Sequence, residues 1–502
     1  MIKNKIFLNM LIVLIGLTFM FSSSNGNASV GSVTIDGKIY NQISFRPEIP
    51  MGKLKLGLDL YFYLDDEGNF YDKPWDFSSG EKAFRNILDK ILYLQYGGRY
   101  DKVYFRLGGM PNTTLGYGII VNQYNNTIEY PNIRRLGFEF RYNGDNLGTE
   151  FIVSDIKRSP GLIASRTTFP ITSQFKIGVF GAVDLNQAKG LIDTDDDGYP
   201  DYFDHSPNDS EHWSDALDAY NQSSDTWDTT CEAWGGPEYD LNDCLSAHGQ
   251  NVNNFDISAY GDDAISAIGV DASYKLTKNL TLYSQFAQLI GDKVAGSSDG
   301  LGFGFVPLAF QIQKGSRNFK WDVSFEARMN SRHFMYSFWD QTYDLNRAQV
   351  VTSENGIEEI QTKRYQLKTF GELKGLYFNV GMSMFDLVDF DVSYQDMEGE
   401  TWKDGDWKED ERSKSILGTL SFDTSKIPLV HLAKIYYQRN NDTDFDLSRP
   451  TLNTIHGYDI GVELSSGVVL VYKGKTTYLN DPNNPGELKS NFTLQVETLI
   501  AL

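Results

Sequence analysis

Apolar residues stand at every second position between Leu54 and Leu64. The apolar positions are Leu54, Leu56, Leu58, Leu60, Phe62 and Leu64, and the positions between them hold Lys53, Lys55, Gly57, Asp59, Tyr61 and Tyr63. Successive side chains of a β-strand point to opposite faces, so the alternation predicts a strand with one apolar face and one polar face. A chain built from such strands folds into a sheet that divides an apolar from a polar environment.

The same alternation recurs along the chain, in runs that begin near Ile35, Val103, Leu136, Leu147, Phe175, Ile268, Leu280, Phe319, Leu376, Tyr458 and Val468. Asn143-Gly144-Asp145-Asn146, between two of these runs, has the composition of a tight hairpin turn. About 18 strands, within a range of roughly 16 to 20, fit the chain at roughly ten residues a strand. No Pro- or Ser-rich linker divides the runs, so we predict one large sheet.

One run has a charged opposite face. Phe319, Trp321, Val323, Phe325 and Ala327 alternate with Lys320, Asp322, Ser324, Glu326 and Arg328. Burying these charges in a soluble core is costly, whereas the inner face of a membrane barrel is polar. We therefore identify Lys320, Asp322, Glu326 and Arg328 as candidate lumen-lining residues. A soluble β-sandwich or β-propeller is the alternative, which alternation alone does not exclude.

The N-terminus has the three-part order of a secretory signal. Lys3 and Lys5 precede an apolar run from Ile6 to Phe21, and small and polar residues follow up to Ala28. We predict a signal peptide over residues 1–28 and Ser29 as the first mature residue. A single membrane anchor is the alternative, but it needs about 20 apolar residues and this run is shorter. No later segment approaches that length, which argues against a helical membrane protein.

The last residues form a further alternating run, with Phe492, Leu494, Val496, Thr498, Ile500 and Leu502 on one face. This run resembles the terminal strand of bacterial outer-membrane β-barrels, which the barrel-assembly machinery recognises. In that family the last residue is usually aromatic, and here it is Leu502. The resemblance implies an all-β fold in the outer membrane: a closed antiparallel transmembrane β-barrel over residues 29–502, surrounded by lipid, with long loops and a short helix.

The negative charge of the chain is concentrated in one insertion. From Gly190 to Tyr274 there are 20 acidic residues and no Lys or Arg, which leaves 47 acidic and 45 basic residues elsewhere. We assign residues 190–262 to an acidic insertion within the barrel. A nearly balanced remainder offers no basic surface, so we expect no nucleic-acid partner.

The stretch from Asp193 to Asp204 has the spacing of a calcium loop. With Asp193 as position 1, carboxylates stand at positions 1, 3, 5, 9 and 12, Gly198 stands at position 6, and the carbonyl of Tyr199 stands at position 7. The stretch resembles a thrombospondin type 3 repeat, which implies structural Ca²⁺ binding. The expected ligands are Asp193, Asp195, Asp197, Tyr199, Asp201 and Asp204. A solvated acidic loop without a bound ion is the alternative.

Cys231 and Cys244 are the two cysteines of the chain. In an exported protein we expect them to form a disulfide across a loop. Two free thiols are one alternative. The other is a zinc site with His205 and His212, which has suitable residue types but no tight ligand spacing.

Two segments depart from the strand pattern. Between Ser79 and Leu92, apolar residues recur at helical spacing and predict a short amphipathic helix, either folded inward or capping one end of the barrel. The segment from Met110 to Arg135 is rich in Gly, Asn and Tyr. Its composition suits either an inward-folded loop that contacts a solute or an ordinary surface loop.

The sequence predicts a porin-like channel for passive passage of small solutes, without indicating which solute. The alternative is a surface binding or structural protein whose barrel displays the calcium-ordered insertion to a partner. We expect no enzyme, because three of the six histidines lie in the acidic insertion and the other three are scattered through strand-like sequence, which gives no catalytic constellation. Long barrel loops usually face outward, yet counting eight strands before Gly190 predicts a periplasmic insertion, and the sequence does not resolve this conflict.

Overall fold

The computed structural model describes residues 25–501 apart from the following gaps: 36–37, 72, 76, 79, 100, 111, 130–132, 194–199, 204–243, 245–262, 294–299, 317–318, 353–357, 386, 404, 423–429, 443–445, 447–448, 453, 466–467 and 481–486. The predicted signal peptide therefore lies almost entirely outside the described residues. Among these residues, no helix has both the length and the apolar character that a membrane span requires.

In the described part of the chain, the regular secondary structure is mainly β-strand. The first strands are β1 (Asn25–Ile35), β2 (Lys38–Met51), β3 (Leu54–Leu58), β4 (Leu60–Leu64), β5 (Phe70–Tyr71), β6 (Ile91–Tyr96), β7 (Val103–Gly108), β8 (Gly137–Asn143), β9 (Gly148–Val153), β10 (Ile163–Pro170), β11 (Phe175–Asp184) and β12 (Ile265–Lys275). The later strands are β13 (Leu280–Gly291), β14 (Phe303–Gly315), β15 (Phe319–Asn330), β16 (Ala348–Thr352), β17 (Glu358–Thr362), β18 (Phe370–Met384), β19 (Val388–Lys403), β20 (Asp406–Phe422), β21 (Val430–Asp442), β22 (Ile455–Ser465), β23 (Val468–Asn480) and β24 (Leu488–Ala501).

The described helices are short: α1 (Gly80–Leu88), α2 (Tyr343–Asn346) and α3 (Lys363–Gln366), with 3₁₀ turns at Lys73–Trp75, Gln187–Gly190 and Leu367–Thr369. Helix α1 confirms the predicted amphipathic helix but ends earlier than the pattern indicated. Ile91, which continued the helical spacing, begins strand β6 instead. The side chains of Phe84 and Ile87 on this helix are exposed.

The strands pair in chain order, and every pairing is antiparallel. All but β16 and β17, which form a separate hairpin, belong to one 22-stranded sheet. The residues Asn27–Gly31 of β1 pair with Glu497–Ala501 of β24, so the last strand adjoins the first. The pairings therefore run around a continuous ring, and the predicted antiparallel all-β fold is confirmed.

The number of strands exceeds the predicted 18. Strands β3 and β4 both pair with β2. On their other side, β4 pairs with β5 and β3 pairs with β6. Each of these two pairs occupies one position, so the 22 strands fill 20 positions of the ring. Counted by position the number equals the upper bound of the prediction, and counted by segment it is higher. The count by segment exceeds the count by position because two ring positions in the N-terminal third are each divided into two strands, β3 with β4 and β5 with β6.

The opening alternation, Leu54 to Leu64, is not one continuous strand. The backbone leaves the strand conformation at Asp59, whose carboxylate is buried and paired with Arg46 at 3.1 Å and also with Arg134. The Asp59 amide donates to the carbonyl of Lys90 rather than to a ladder partner. A buried carboxylate needs charged partners, and meeting that need interrupts the sheet pairing here.

The two ends of the ring differ in the length of their connections. One end carries short turns such as 144–147, 171–174 and 276–279. The opposite end carries the long connections, which include residues 109–136, 154–162, 185–264, 292–302, 331–369 and 443–454. Nine ring positions precede the acidic insertion, which belongs to the connection between β11 and β12. Strand β11 therefore stops at the long-connection end, opposite the end where β1 begins, and the connection that contains the insertion starts there. The expected count of eight strands before Gly190 was one too low.

The exposed face of the sheet is mainly apolar, whereas the enclosed face carries charged and polar side chains together with apolar residues of a buried core, such as Ile265 and Leu289. Val270 and its cross-strand neighbour Phe286 are exposed, whereas Asp271 and its neighbour Gln285, one residue along, are buried. On β15, Glu326 and Arg328 lie on the enclosed face and are only 1% and 4% exposed. Exposed positions on other strands include Ile268 at 57% and Leu308 at 60%. This distribution is the reverse of a soluble β-sandwich.

Candidate functional site

Two long connections fold into the ring and fill much of its interior. The first inward segment, residues 109–136, joins β7 to β8. It crosses the interior, because Arg141 on β8 donates to the carbonyl of Thr114 at 3.0 Å while Lys475 on the distant β23 donates to that of Ile128 at 2.9 Å. Buried Tyr124 lies in its middle. This Gly-, Asn- and Tyr-rich stretch therefore folds inward rather than lying on the surface, while its contact with a solute stays a prediction.

The second inward segment, residues 331–369, joins β15 to β18 and was not predicted from the sequence. Phe338, Trp339 and Tyr343 are fully buried and form an aromatic cluster with ring centroids 4.9 to 5.9 Å apart. Trp339 donates its indole N–H to the carbonyl of Gly161, between β9 and β10, at 3.0 Å. The aromatic cluster thus belongs to a buried core that also includes the wall residues Ile152 and Ala164.

The two inward segments are joined by backbone hydrogen bonds. Trp339 donates its amide to Ile120 at 3.0 Å, and its carbonyl accepts from the amide of Asn122 at 3.1 Å. The hydroxyl of Tyr124 also donates to Asp344 of the second segment at 2.7 Å. The segments therefore form one body inside the ring rather than two independent loops.

A buried ion pair fixes this body to the wall. Arg347 of the second inward segment donates from its Nε and one Nη to the carboxylate of Asp184 on β11, at 2.6 and 2.8 Å. Tyr343 donates its hydroxyl to the same carboxylate at 2.8 Å. Burial, together with the adjacent Asp184 carboxylate, raises the pKa of the Tyr343 hydroxyl well above its ordinary value, so this group stays protonated and remains a donor.

Charged side chains continue along the inner wall as an alternating series, which we call the charged ladder: Arg99, Glu139, Arg141, Glu150, Arg166 and Asp271. Consecutive members are 2.7 to 3.0 Å apart. Arg166 holds Asp271 with two nitrogens, the geometry that guanidinium and carboxylate groups favour. Each charge has a partner of opposite sign, so the ladder neutralises itself.

A cavity of about 60 Å³ remains between the inward segments and strands β18 to β21. We call it the amide cavity, because its lining contains five carboxamides beside one guanidinium: Asn122, Gln341, Gln395, Gln438, Asn440 and Arg328. Three serines and two tyrosines also contribute to the lining. By the usual measure a cavity of this size holds roughly four to six water molecules.

The charges that border the amide cavity are compensated. Arg328 lies 2.6 Å from Glu326 and also donates to Gln395, and its guanidinium is 3.7 Å from the centroid of the Tyr377 ring. Asp340 is 3.3 Å from Lys363. The cavity wall therefore offers many hydrogen-bonding groups but little unbalanced charge.

A smaller cavity of about 40 Å³ borders the first inward segment and contains Arg134, Arg135 and Lys157 in its lining. Each cation has a carboxylate partner, which is Asp59, Glu129 and Asp89 in turn. Burial raises the pKa of Glu129, and the adjacent Arg135 acts in the opposite direction. This cavity is therefore bordered by ion pairs rather than by a free basic surface.

The four candidate lumen residues lie on the polar face of β15. Glu326 and Arg328 are buried and bonded to each other, Asp322 is partly buried, and Lys320 is exposed near the end of the strand. Arg328 reaches the amide cavity, and Glu326 accepts the hydroxyl of Tyr283 at 2.7 Å. The structure thus separates a buried pair near the inward segments from two residues closer to the short-turn end.

Most of the predicted calcium loop lies outside the described residues, and of its six expected ligands only Asp193 and Asp201 are described. The amide of Asp201 donates to the carbonyl of Ile192 at 2.7 Å, so the two ends of the loop are adjacent. Cys244 is described and buried, whereas Cys231 is not described. The calcium site and the disulfide stay predictions.

Sequence reasoning missed the charged ladder and the second inward segment. The ladder was visible in principle, because Glu139, Arg141 and Glu150 occupy the positions opposite to apolar residues in two of the alternating runs. The second inward segment carried no comparable signal. Its burial depends on Asp184 and Gly161, which are distant in sequence.

No protein-family model matches the chain, and no curated protein matches it. Solved outer-membrane proteins are similar over nearly its whole length. OccK5 (OpdH) of Pseudomonas aeruginosa is matched over 95% of this chain and 98% of its own, at 9% identity and a TM-score of 0.30. OccAB4 of Acinetobacter baumannii is matched over 95% of this chain and 97% of its own, at 11% identity and a TM-score of 0.30.

Wzi of Escherichia coli, a carbohydrate-binding β-barrel involved in group 1 capsule assembly, is matched over 98% of this chain and 87% of its own. Its identity is 9% and the TM-score is 0.31. At such identities and scores these similarities add nothing to what the strand pairings and burial of the chain itself show.

Proposed function

We propose that this protein is a porin-like outer-membrane channel for the passive passage of small solutes and has no enzymatic role. The observation that carries the proposal is the reversed distribution of side chains around the ring: apolar residues such as Ile268 and Leu308 face outward, and Asp271, Glu326 and Arg328 face inward. Lipid stabilises the first face and a hydrated lumen the second. Exposing such an apolar surface to water is unfavourable.

The inward segments give this channel a narrow lumen. Wide aqueous pores leave the inside of the ring open, whereas here residues 109–136 and 331–369 cross it. The amide cavity lies between both segments and the wall. A constriction lined by hydrogen-bonding groups selects solutes by size and chemistry rather than passing all small molecules.

We further propose that the acidic insertion, residues 190–262, faces the outside of the cell and is ordered by Ca²⁺. In outer-membrane barrels short turns face the periplasm and long loops the exterior, and the insertion belongs to the long-connection end. The adjacency of Ile192 and Asp201 supports a closed metal loop. Bound Ca²⁺ would neutralise carboxylates that otherwise repel one another.

A second function, display of the insertion to an external partner, is favoured by one observation. The aromatic cluster of Phe338, Trp339 and Tyr343 is packed tightly within the ring, as expected for a structural plug. In this case the barrel is a closed support and passes no solute.

Swelling of proteoliposomes distinguishes the two functions. Vesicles that contain the folded mature protein are diluted into solutions of small neutral and charged solutes, with protein-free vesicles as the control. The channel function predicts swelling that depends on solute size. No swelling from vesicles with verified, folded barrel would favour display.

A further inference from the structure

We propose that the amide cavity binds neutral polyhydroxylated solutes, such as a monosaccharide, in preference to ions; this proposal rests on the proposed channel function and names its solute class. The carboxamides of the cavity lining support this solute class. A carboxamide offers both donors and acceptors, and so does an alcohol hydroxyl. Five carboxamides around one cavity therefore match a solute that carries several hydroxyl groups.

The charges that border the cavity also favour a neutral solute. Arg328 and Asp340 both border the cavity, and each already has a counter-charge, Glu326 and Lys363 respectively. An anion or cation that entered would lose its hydration without gaining an unpaired partner, which is costly. A neutral solute loses less hydration on entering, because its hydroxyls exchange water for amide and serine groups.

The cavity lies where both inward segments meet the wall of the ring. Its carboxamides come from the first inward segment (Asn122), the second (Gln341) and wall strands β19 and β21 (Gln395, Gln438 and Asn440). A solute bound there contacts both inward segments and the wall together. The side chains are held by mutual bonds, such as the amide of Asn440 to Asp340 at 2.9 Å, so the site is preorganised.

The test measures binding of three sugars that share one ring but differ in charge. Saturation-transfer NMR is recorded on the full mature protein in micelles with glucose, glucosamine and glucuronate, at a mildly acidic pH where the last two are a cation and an anion. We expect glucose to bind at least severalfold more tightly than either charged sugar. Equal or weaker glucose binding, or none, overturns the proposal.

A variant locates the binding. Gln341→Leu removes a cavity carboxamide that donates to Gln438. The matched control is Gln349→Leu in the same inward segment, where a similar carboxamide donates to Asn346 at 3.2 Å outside the cavity lining. We expect glucose binding roughly three- to tenfold weaker in Gln341→Leu, the value of one hydrogen bond, and unchanged in the control.

Equal binding by the two variants overturns the proposal. If Gln341→Leu does not fold, the comparison of the three sugars on the unmodified protein decides it alone. Failure of the channel function has a different signature: glucose binds with the expected charge preference, but vesicles with the protein do not swell.

Discussion

Individual charged residues determine how the interior of this ring is held together. Arg347 is buried and binds Asp184 with two nitrogens, and it also donates to the carbonyl of Asn186 at 2.9 Å. Removing one member of such a pair leaves the other charge buried without compensation, which costs more than the pair contributes. Residues of this kind anchor the inward segments.

Replacing Arg347 with Met is expected to lower the free energy of unfolding by about 3 to 5 kcal/mol, because the buried Asp184 carboxylate loses its cation. Guanidinium unfolding in micelles, followed by tryptophan fluorescence, measures this change. The matched control is Arg449→Met, whose exposed pair with Asp446 is expected to contribute about 0 to 1 kcal/mol. Equal losses in both variants would contradict the anchoring role.

Lys363 introduces a pH dependence. Burial lowers its pKa below the ordinary value of 10.5, and nearby Asp340 acts in the opposite direction. In the unfolded chain the group titrates at the ordinary value, so between the two pKa values the unfolded state binds more protons. The folded state therefore gains stability as the pH rises through this window.

We expect the difference in unfolding free energy between the unmodified protein and Lys363→Met to shift in favour of the unmodified protein as the pH rises toward 10.5. Denaturant unfolding of both proteins at several alkaline pH values measures the shift. Titration of other groups cancels in the difference. A pH-independent difference would mean that Lys363 has an unperturbed environment.

At the scale of elements, the alternating runs predicted the strands well and the interior poorly. Alternation reports which face of a strand is apolar, and Phe319 to Arg328 behaves as its pattern indicates. It does not report interruptions, so Asp59, which leaves the sheet to bind Arg46 and Arg134, was assigned to a continuous strand.

The candidate site was less predictable than the strands. The amide cavity joins Asn122 and Gln341 to Gln438, three residues far apart in the sequence. Composition indicated that residues 110–135 suit a solute contact, but no local pattern predicts the second inward segment. Its place depends on tertiary packing of Trp339 and Tyr343 and on the Asp184 ion pair.

Trp339→Ala tests how the two inward segments depend on each other. This residue is fully buried and bonds the first segment and Gly161. Its truncation leaves a cavity, with an expected loss of about 3 to 5 kcal/mol, and loosens the body that narrows the lumen, so single-channel conductance should rise. Trp321→Ala, at a half-buried tryptophan of β15 on the strand face opposite to Asp322, is the control. Unchanged conductance in the folded Trp339 variant would show that the packing of the inward segments does not narrow the lumen.

At the scale of the whole molecule, two asymmetries define the protein: apolar outside against polar inside, and long connections against short turns. Under the proposed function, the first asymmetry corresponds to lipid outside and a hydrated lumen inside, and the second to an insertion that faces the outside of the cell. Both are properties of one ring of 20 strand positions, nine of which precede the insertion. The charged ladder on the inner wall has no counterpart on the exposed faces of β11 to β13, where the described exposed side chains are mainly apolar.

Val270→Arg places a charge in the middle of the exposed face of β12, next to Phe286. If lipid contacts this face, the folded state in a bilayer loses about 2 to 4 kcal/mol, and the yield of folded protein in vesicles falls. Ser173→Arg, in the exposed turn between β10 and β11, is the control and should fold normally. Normal folding of both variants into vesicles would argue against contact between this face and lipid.

The central claim, that the ring is a solute channel with a narrowed lumen, is tested most directly by single-channel recording of the refolded mature protein in a planar bilayer. A lumen narrowed by the inward segments predicts steady openings of small conductance, smaller than those of an open porin and increased by Trp339→Ala. A silent bilayer that contains verified, inserted and folded protein, with or without that substitution, would contradict it.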